Sequence, residues 1–366
     1  MSLHIALLGQ ANSVHLQRWA VALHERGRRV SVITQQAAEA LPLPSEVVLH
    51  ALPWCGAAGY LLNALPLRRW LRAHSPDLLH AHYASGYGST AMLAGWHPTA
   101  LSVWGSDVYD FPEESALKGW LVRRNLRFAD ALASTSQAMA EQVRRLWPGA
   151  GEIAVTPFGV DTVLFAPTPE ARQGVTIGTV KTLDHKYGID TLLCAFAALR
   201  AQLPDRALKL LIVGDGPQRA ALHDLAARLR LGDAVQWAGA VPHAQVPQWL
   251  NRMDIYVAAS RLDSESFGVA VVEAMACGVP VVVSDAGGLP EVVVHGVSGL
   301  VVPREQPQAL AASLAELVLD TALRQRLAAA GLTRATNAFA WPLCVDRMLA
   351  FQDGVVERWN ADAGRA

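Results

Sequence analysis

The sequence predicts an α/β chain built from two doubly wound parallel sheets in tandem. Three observations predict it. Short apolar runs ending at a glycine alternate with helix-period segments, the strand–turn–helix–strand order that forces neighbouring strands to run parallel. The alternation breaks once, at a proline-rich stretch near the middle, and then starts again. At about 150 residues per domain, a chain of 366 residues makes two domains rather than one.

The elements follow in order. Residues 4–8 form a first apolar strand ending at Gly9, and Leu16, Trp19, Ala20 and Leu23 fall on one helical face before Gly27. Residues 30–34 give the second strand. Leu78 and Leu79 precede a Gly/Ser-rich helix start at 85–89. Residues 100–103 form a strand, 115–127 a helix, and 131–134 and 153–156 two more short strands. The sequence 157–169, with Pro157, Pro167 and Pro169, is the break. The second series opens with a strand at 175–180 and a helical stripe of Ile189, Leu192, Leu193, Phe196 and Leu199. Residues 208–213 are almost continuously apolar, as a strand covered on both faces must be. They end in Gly214-Asp215-Gly216-Pro217, and Leu222, Leu225, Ala226 and Leu229 form the next helix face. Short strands near Val235 and Ile255, a helix at 267–277, strands at 280–283 and 299–302, and helices from Pro307 onward complete the pattern. The expected domains are 1–167 and 168–340, facing each other across a cleft, with 341–366 a helix packing back toward the first.

Composition excludes several classes. Hydrophobic residues are 52% and charged residues 17%, which rules out a disordered chain. A net charge of −1 argues against a nucleic-acid surface. Cys55, Cys194, Cys277 and Cys344 form no CxxC pair, so no zinc site is expected and most should be buried thiols of a reducing compartment. No apolar run is long enough to span a bilayer, and the expected location is cytoplasmic. GxGxxG, Walker A, Asp-x-Asp and Gly-x-Ser-x-Gly motifs are absent.

The strongest chemical feature is the run from Glu265 to Glu273, two acids eight residues apart flanking the start of an apolar helix. On one helix they would lie about 12 Å apart along the axis. The amides of Ser266, Phe267 and Gly268 between them favour a phosphate. The layout fits a nucleotide-diphosphate-sugar, with hexose hydroxyls at Glu265 and ribose hydroxyls at Glu273. The plain alternative is a helix-start acid and a solvated helix position. Lys181 and Lys186, two of only four lysines, follow the first strand of the second series, where they can neutralise a diphosphate without a metal or remain solvated loop residues. Gly287 and Gly288 permit a tight loop near a ligand. Asp107 faces a sugar or caps a helix. His82, beside His80, could face the cleft, and a structural histidine is the commoner outcome than a metal ligand.

These residues resemble glycosyltransferase family 4, the retaining enzymes of GT-B fold with an E-x7-E motif, over nearly the whole chain. The resemblance implies two Rossmann-like domains, the first binding an acceptor and the second a UDP- or GDP-linked sugar. Lys186 matches the phosphate-binding lysine, with Lys181 near an arginine position. Glu273 matches the ribose acid, and Glu265 with Ser266, Phe267, Gly268 and Val269 the sugar and phosphate site. Val241 falls where the backbone meets the nucleobase. Gly214 belongs to a family landmark and Gly9 to the turn near the acceptor. Trp104 stands where many members carry a histidine, which shifts sugar contacts to His82 or Asp107. The implied reaction is retaining hexosyl transfer in cell-surface polysaccharide or lipopolysaccharide synthesis, with the nucleotide-sugar as co-substrate and no cofactor or metal. The implied acceptor is a glycan or lipid-linked glycan. Peripheral membrane contact through Leu61, Leu62, Leu65, Leu67, Arg68, Arg69, Trp70, Leu71 and Arg72, or through Lys118, Trp120, Leu121, Arg123, Arg124, Leu126 and Arg127, is compatible with it. The competing expectations are a sugar-nucleotide 2-epimerase and a non-catalytic sugar-nucleotide-binding protein.

Overall fold

The computed structural model describes residues 2–35, 43–168 and 174–364. Met1, Pro169 and residues 365–366, which the expectations above include, lie outside them. The chain divides into two compact units, Met1–Pro157 with Cys344–Ala366, and Phe158–Leu343. The division falls at Pro157 and not at 167, because the residues after it pack into the second unit. The Phe158 ring meets Phe267 at 6.4 Å, the Val160 amide donates to the Phe339 carbonyl, and Asn251 bonds both Ala166 and Thr168.

The first unit carries a sheet of β1 (His4–Leu8), β2 (Arg29–Thr34), β3 (Val48–Ala51), β4 (Leu78–His82), β5 (Thr99–Ser102), β6 (Ala131–Ser134) and β7 (Ile153–Val155). Its order is β3-β2-β1-β4-β5-β6-β7, and each pairing is parallel. The sequence pattern does not announce β3. It is an edge strand with Val48 and Leu49 exposed, and no glycine turn closes its apolar run as Gly9 closes that of β1. The apolar-basic stretch near 61–72 is interrupted. Helices Gly56–Leu62 and Ala64–His74 meet at the buried Asn63, whose amide donates to the Trp54 carbonyl at 2.7 Å. From Cys344 onward the last helix, Trp341–Ala363, belongs to this unit. Gln352 on it bonds His80 at 2.9 Å and Asp353 pairs with Arg28 at 2.7 Å.

The second unit carries β8 (Val175–Val180), β9 (Leu208–Val213), β10 (Val235–Gly239), β11 (Ile255–Ala258), β12 (Val281–Ser284) and β13 (Leu300–Val302), in the order β10-β9-β8-β11-β12-β13. Here too each pairing is parallel. Ile177, Phe196, Leu210, Ile212, Ile255 and Leu314 sit fully buried between this sheet and its helices. Each sheet therefore reverses its strand order once, between β1 and β4 and between β8 and β11. Ligands of such sheets bind beyond the carboxyl ends of the strands at that reversal.

One smaller expectation changes. Cys277 and Cys344 are buried, but Cys194 is half-buried and Cys55 exposed. Among the described residues no helix is long and apolar enough to cross a membrane.

Candidate functional site

The β8/β11 reversal gathers the charged residues. β8 ends at Val180, and Lys181 follows it. β11 ends at Ala258 and leads into the loop that carries Glu265. Lys181 Nζ donates to both carboxylate oxygens of Glu265, at 3.0 and 2.9 Å, and the two side chains are only 12% and 7% exposed. Burial works against the ammonium, but the facing carboxylate outweighs it and holds Lys181 above the usual lysine range. The Tyr187 ring lies under the same ammonium, 4.6 Å from its centroid. Removing one partner of such a pair strands a buried charge.

Backbone contacts fix both loops. The Lys181 amide donates to Val213 at 3.0 Å, and Gly214 sits at φ +140° where a Cβ would run into the Lys181 carbonyl. Gly214 thus lets two loops touch, which is a different task from contacting a ligand. Lys186 lies in the short 3-10 turn His185–Tyr187, and its Nζ donates to the Ser264 carbonyl at 2.8 Å. The Arg261 amide returns a bond to the Lys186 carbonyl at 2.8 Å. Gly287 and Gly288 donate to Asp263 and to the Glu265 carbonyl, both at 3.0 Å, so this turn supports the acidic loop from below.

The helix itself is Val269–Ala276, starting two residues later than expected, with Gly268 before it at φ +84°. Glu265 therefore lies in the loop, and the axial spacing of about 12 Å for two acids on one helix does not apply. Phe267 is 3% exposed and turns its ring onto Phe158 and Phe339, so its side chain serves the core. The Cβ position of Gly268 faces Leu289. The first-turn amides, running on through Val269, are the groups that a helix start leaves for an anion. Ser266 is buried and Val269 half-buried. Glu273 is 5% exposed, which removes the solvated alternative. Its Oε1 bonds His243 Nε2 at 2.8 Å. His243 opens the 3-10 turn His243–Gln245, two residues after the half-buried Val241.

Sequence reasoning misses His243 because nothing local links positions 243 and 273. It misses Arg261 and Arg304 too. Arg261 pairs with Asp190 at 2.5 Å and Glu305 at 3.1 Å, and Arg304 with Asp263 at 2.8 Å and Asp285 at 3.0 Å. These ion pairs fasten the loop between β11 and the helix. Chemically, the assembled loops offer two ammonium groups and helix amides to an anion, and two buried carboxylates as acceptors for hydroxyls.

At the β1/β4 reversal of the first unit lie Gly9, His82 and, after β5, Trp104 and Asp107. Gly9 is buried, its amide bonded to Ile33 at 3.0 Å. Asp107 differs from either expected role. It is 1% exposed, and its carboxylate accepts from the amides of Ala84, Trp104 and Gly105 at 2.7, 3.0 and 2.8 Å. It clamps the β4 and β5 loops together. Burial pushes its pKa up, while those amides pull it down. His82 is 1% exposed, stacked on His80 at 4.4 Å, and neither ring nitrogen is hydrogen-bonded. Burial and the neighbouring imidazole hold it well below the usual histidine range. Among the described residues no three His, Cys, Asp or Glu stand together as metal ligands.

Comparison with known proteins places this geometry. Residues 162–334 match the family described as Glycosyl transferases group 1, and residues 4–136 match Glycosyl transferase 4-like. A D-inositol 3-phosphate glycosyltransferase of Jonesia denitrificans is 33% identical over 318 residues, 83% of this chain and 70% of that protein. Sucrose-phosphate synthase from Thermosynechococcus elongatus superposes with a TM-score of 0.82 at 22% identity, covering 99% of this chain and 100% of that one. Anabaena HepE in complex with UDP-glucose gives 0.75 at 21% identity, covering 98% and 100%. The chain has the GT-B fold and belongs to the glycosyl transferase group 1 family.

Proposed function

We propose that the chain is a retaining, metal-independent hexosyltransferase that uses a UDP- or GDP-linked sugar. The observation that carries this reading is the buried Lys181–Glu265 pair beside Lys186 at the β8/β11 reversal, next to the helix bearing Glu273. The diphosphate takes the helix-start amides and Lys186. Glu273 takes the ribose hydroxyls, and Glu265, with Lys181 behind it, takes the sugar hydroxyls. The acceptor oxygen bonds to C1 on the face from which the diphosphate leaves. The bond from C1 to the β-phosphate oxygen breaks with its electron pair on the phosphate. The acceptor proton passes to that phosphate oxygen, so nucleoside diphosphate and glycoside are the products and no protein base is required. The protein stabilises the leaving charge and orients the sugar.

Anabaena HepE, which shares the fold, forms a crystalline complex with UDP-glucose, and this supports a nucleotide-sugar as donor class. We read the first unit as the acceptor domain and the acceptor as a glycan or lipid-linked glycan. Exposed Leu61, Leu62 and Leu65, and an open recess of about 540 Å³ lined by Trp120, Arg123, Arg124, Arg127 and Trp147, suit contact with an anionic lipid surface. Liposome flotation tests that contact.

The test of the activity is transfer by the purified full chain from UDP-, GDP- and ADP-sugars to glycan and glycolipid acceptors, with the product anomer read by NMR. Retention of the donor's anomeric configuration is expected. Inversion, or neither transfer nor donor hydrolysis with any of these donors, contradicts the reading.

A further inference from the structure

The two lysines of the second unit share one aromatic ring. Lys181 Nζ lies 4.6 Å from the centroid of Tyr187 and Lys186 Nζ 5.5 Å from it, both inside the roughly 6 Å over which an ammonium is drawn to the negative face of a ring. The turn fixes where that ring stands. Tyr187 ends the 3-10 turn His185–Tyr187, and its amide donates to the Asp184 carbonyl at 3.1 Å. The Asp184 carboxylate accepts from the Lys186 amide, also at 3.1 Å. Gly188 follows at φ +60°, where a Cβ would run into the Ala259 carbonyl just beyond β11. The loop after β8 is thereby pressed onto the end of β11. The Tyr187 ring is half-buried and packs against the apolar core of the second unit. Core contacts therefore hold the ring, and the ammonium groups lie over a platform that is already in place.

Two ammonium groups gathered at one site repel each other. A carboxylate at the position of Tyr187 would attract both, but it would also cancel charge and repel an anionic ligand. An aliphatic side chain would attract neither. A neutral ring attracts both and cancels nothing. Burial pushes the Tyr187 phenol above its usual range, so the ring carries no charge at neutral pH. The carboxylate that does stand here, Glu265, is taken up by Lys181.

We propose that Tyr187 is a positioning residue of the donor site: its π-face steadies Lys186 for the diphosphate and Lys181 against Glu265, and brings no negative charge that would repel the donor. This inference rests on the glycosyltransferase reading and adds to it a residue that acts through the two lysines.

The test keeps the shape of the ring and drains its π-face. In the full chain Tyr187 is replaced by phenylalanine and by phenylalanines carrying one, two and three ring fluorines. UDP, GDP and ADP, each beside its monophosphate, are titrated into every variant by calorimetry. For the diphosphate that binds wild type, affinity should fall stepwise with fluorine number, by about tenfold across the series. The matching monophosphate, which lacks the leaving phosphate, should change by about twofold or less. Y187F keeps the face and should stay within about twofold of wild type in affinity and in kcat. Y187L removes it and should lower kcat about tenfold. A ring that only fills the core predicts a flat series whatever the melting temperatures do. A flat series overturns the proposal, and so does an equal loss for monophosphate and diphosphate. The two readings fail separately. A diphosphate that binds wild type and ignores fluorination sinks the role of Tyr187 alone, whereas failure of all three diphosphates to bind wild type sinks the glycosyltransferase reading and this inference with it.

Discussion

The two sheets end differently at their strand reversals. β8 and β11 end in charge, with Lys181, Lys186, Glu265 and Glu273 in or beside their loops. β4 and β5 end in rings, with His82, Tyr83 and Trp104 in contact and Asp107 spent on backbone amides. The same winding thus presents two chemistries. Under the proposed function the charged loops meet the donor, which leaves as an anion.

Substitutions on the charged side should have the largest effects. Lys186→Ala is expected to lower kcat by about 10²- to 10³-fold if its ammonium meets the leaving charge. Unchanged turnover in steady-state kinetics would break the comparison at its charged end. Lys181→Met should act on stability as well as rate, because it leaves the Glu265 carboxylate buried and unpaired. About 3–5 kcal/mol of unfolding free energy should be lost, and the double variant Lys181→Met/Glu265→Leu should recover much of it. Denaturant titration of wild type, single and double variants checks this, and a double variant no more stable than the single contradicts it.

The aromatic side should respond to acid instead. His80 is buried with a pKa lowered to about 3, and His82 is also lowered, so the unfolded chain binds protons that the folded one refuses. Their contribution to stability is full above the unfolded value near 6.5 and drains as pH falls. The loss is about 1.4 kcal/mol per histidine for each pH unit below that value, ending for His80 near its folded pKa. Calorimetry from pH 7.5 to 5 should show the melting temperature falling below pH 6.5, with a shallower fall in His80→Gln/His82→Phe. An identical slope in that variant removes the histidines as the cause. The smallest effect belongs to His243→Ala, which frees Glu273 Oε1 on a half-exposed partner. The KM for donor should rise about tenfold or less with kcat little changed, since a hydrogen bond from so exposed a partner is worth about 0.5–1.5 kcal/mol. A fall in kcat at constant KM would place His243 elsewhere in the chemistry.

Much of the fold was legible because apolar runs and glycine turns report strands that are buried on both faces. β8, β9 and β1 have the boundaries the sequence suggests, whereas the edge strand β3 has an apolar run that no glycine turn closes. The acids and lysines of the second unit were legible as types at a spacing, but their pairing was not. Lys181 and Glu265 are 84 positions apart, and His243 and Glu273 are 30 apart. Such partners meet only through sheet topology, which periodicity does not report. Asp107 shows the opposite failure. A lone acid after a strand reads as chemistry, and only its three amide partners reveal a fastening role.

The most direct test of the central claim is calorimetric titration of the full chain with UDP, GDP and ADP, repeated on Lys186→Ala, Glu273→Gln and Trp104→Leu. The account predicts that one nucleoside diphosphate binds wild type and Trp104→Leu alike, and that Lys186→Ala and Glu273→Gln each weaken it about tenfold or more. Binding that survives in Lys186→Ala and Glu273→Gln but is lost in Trp104→Leu would contradict it.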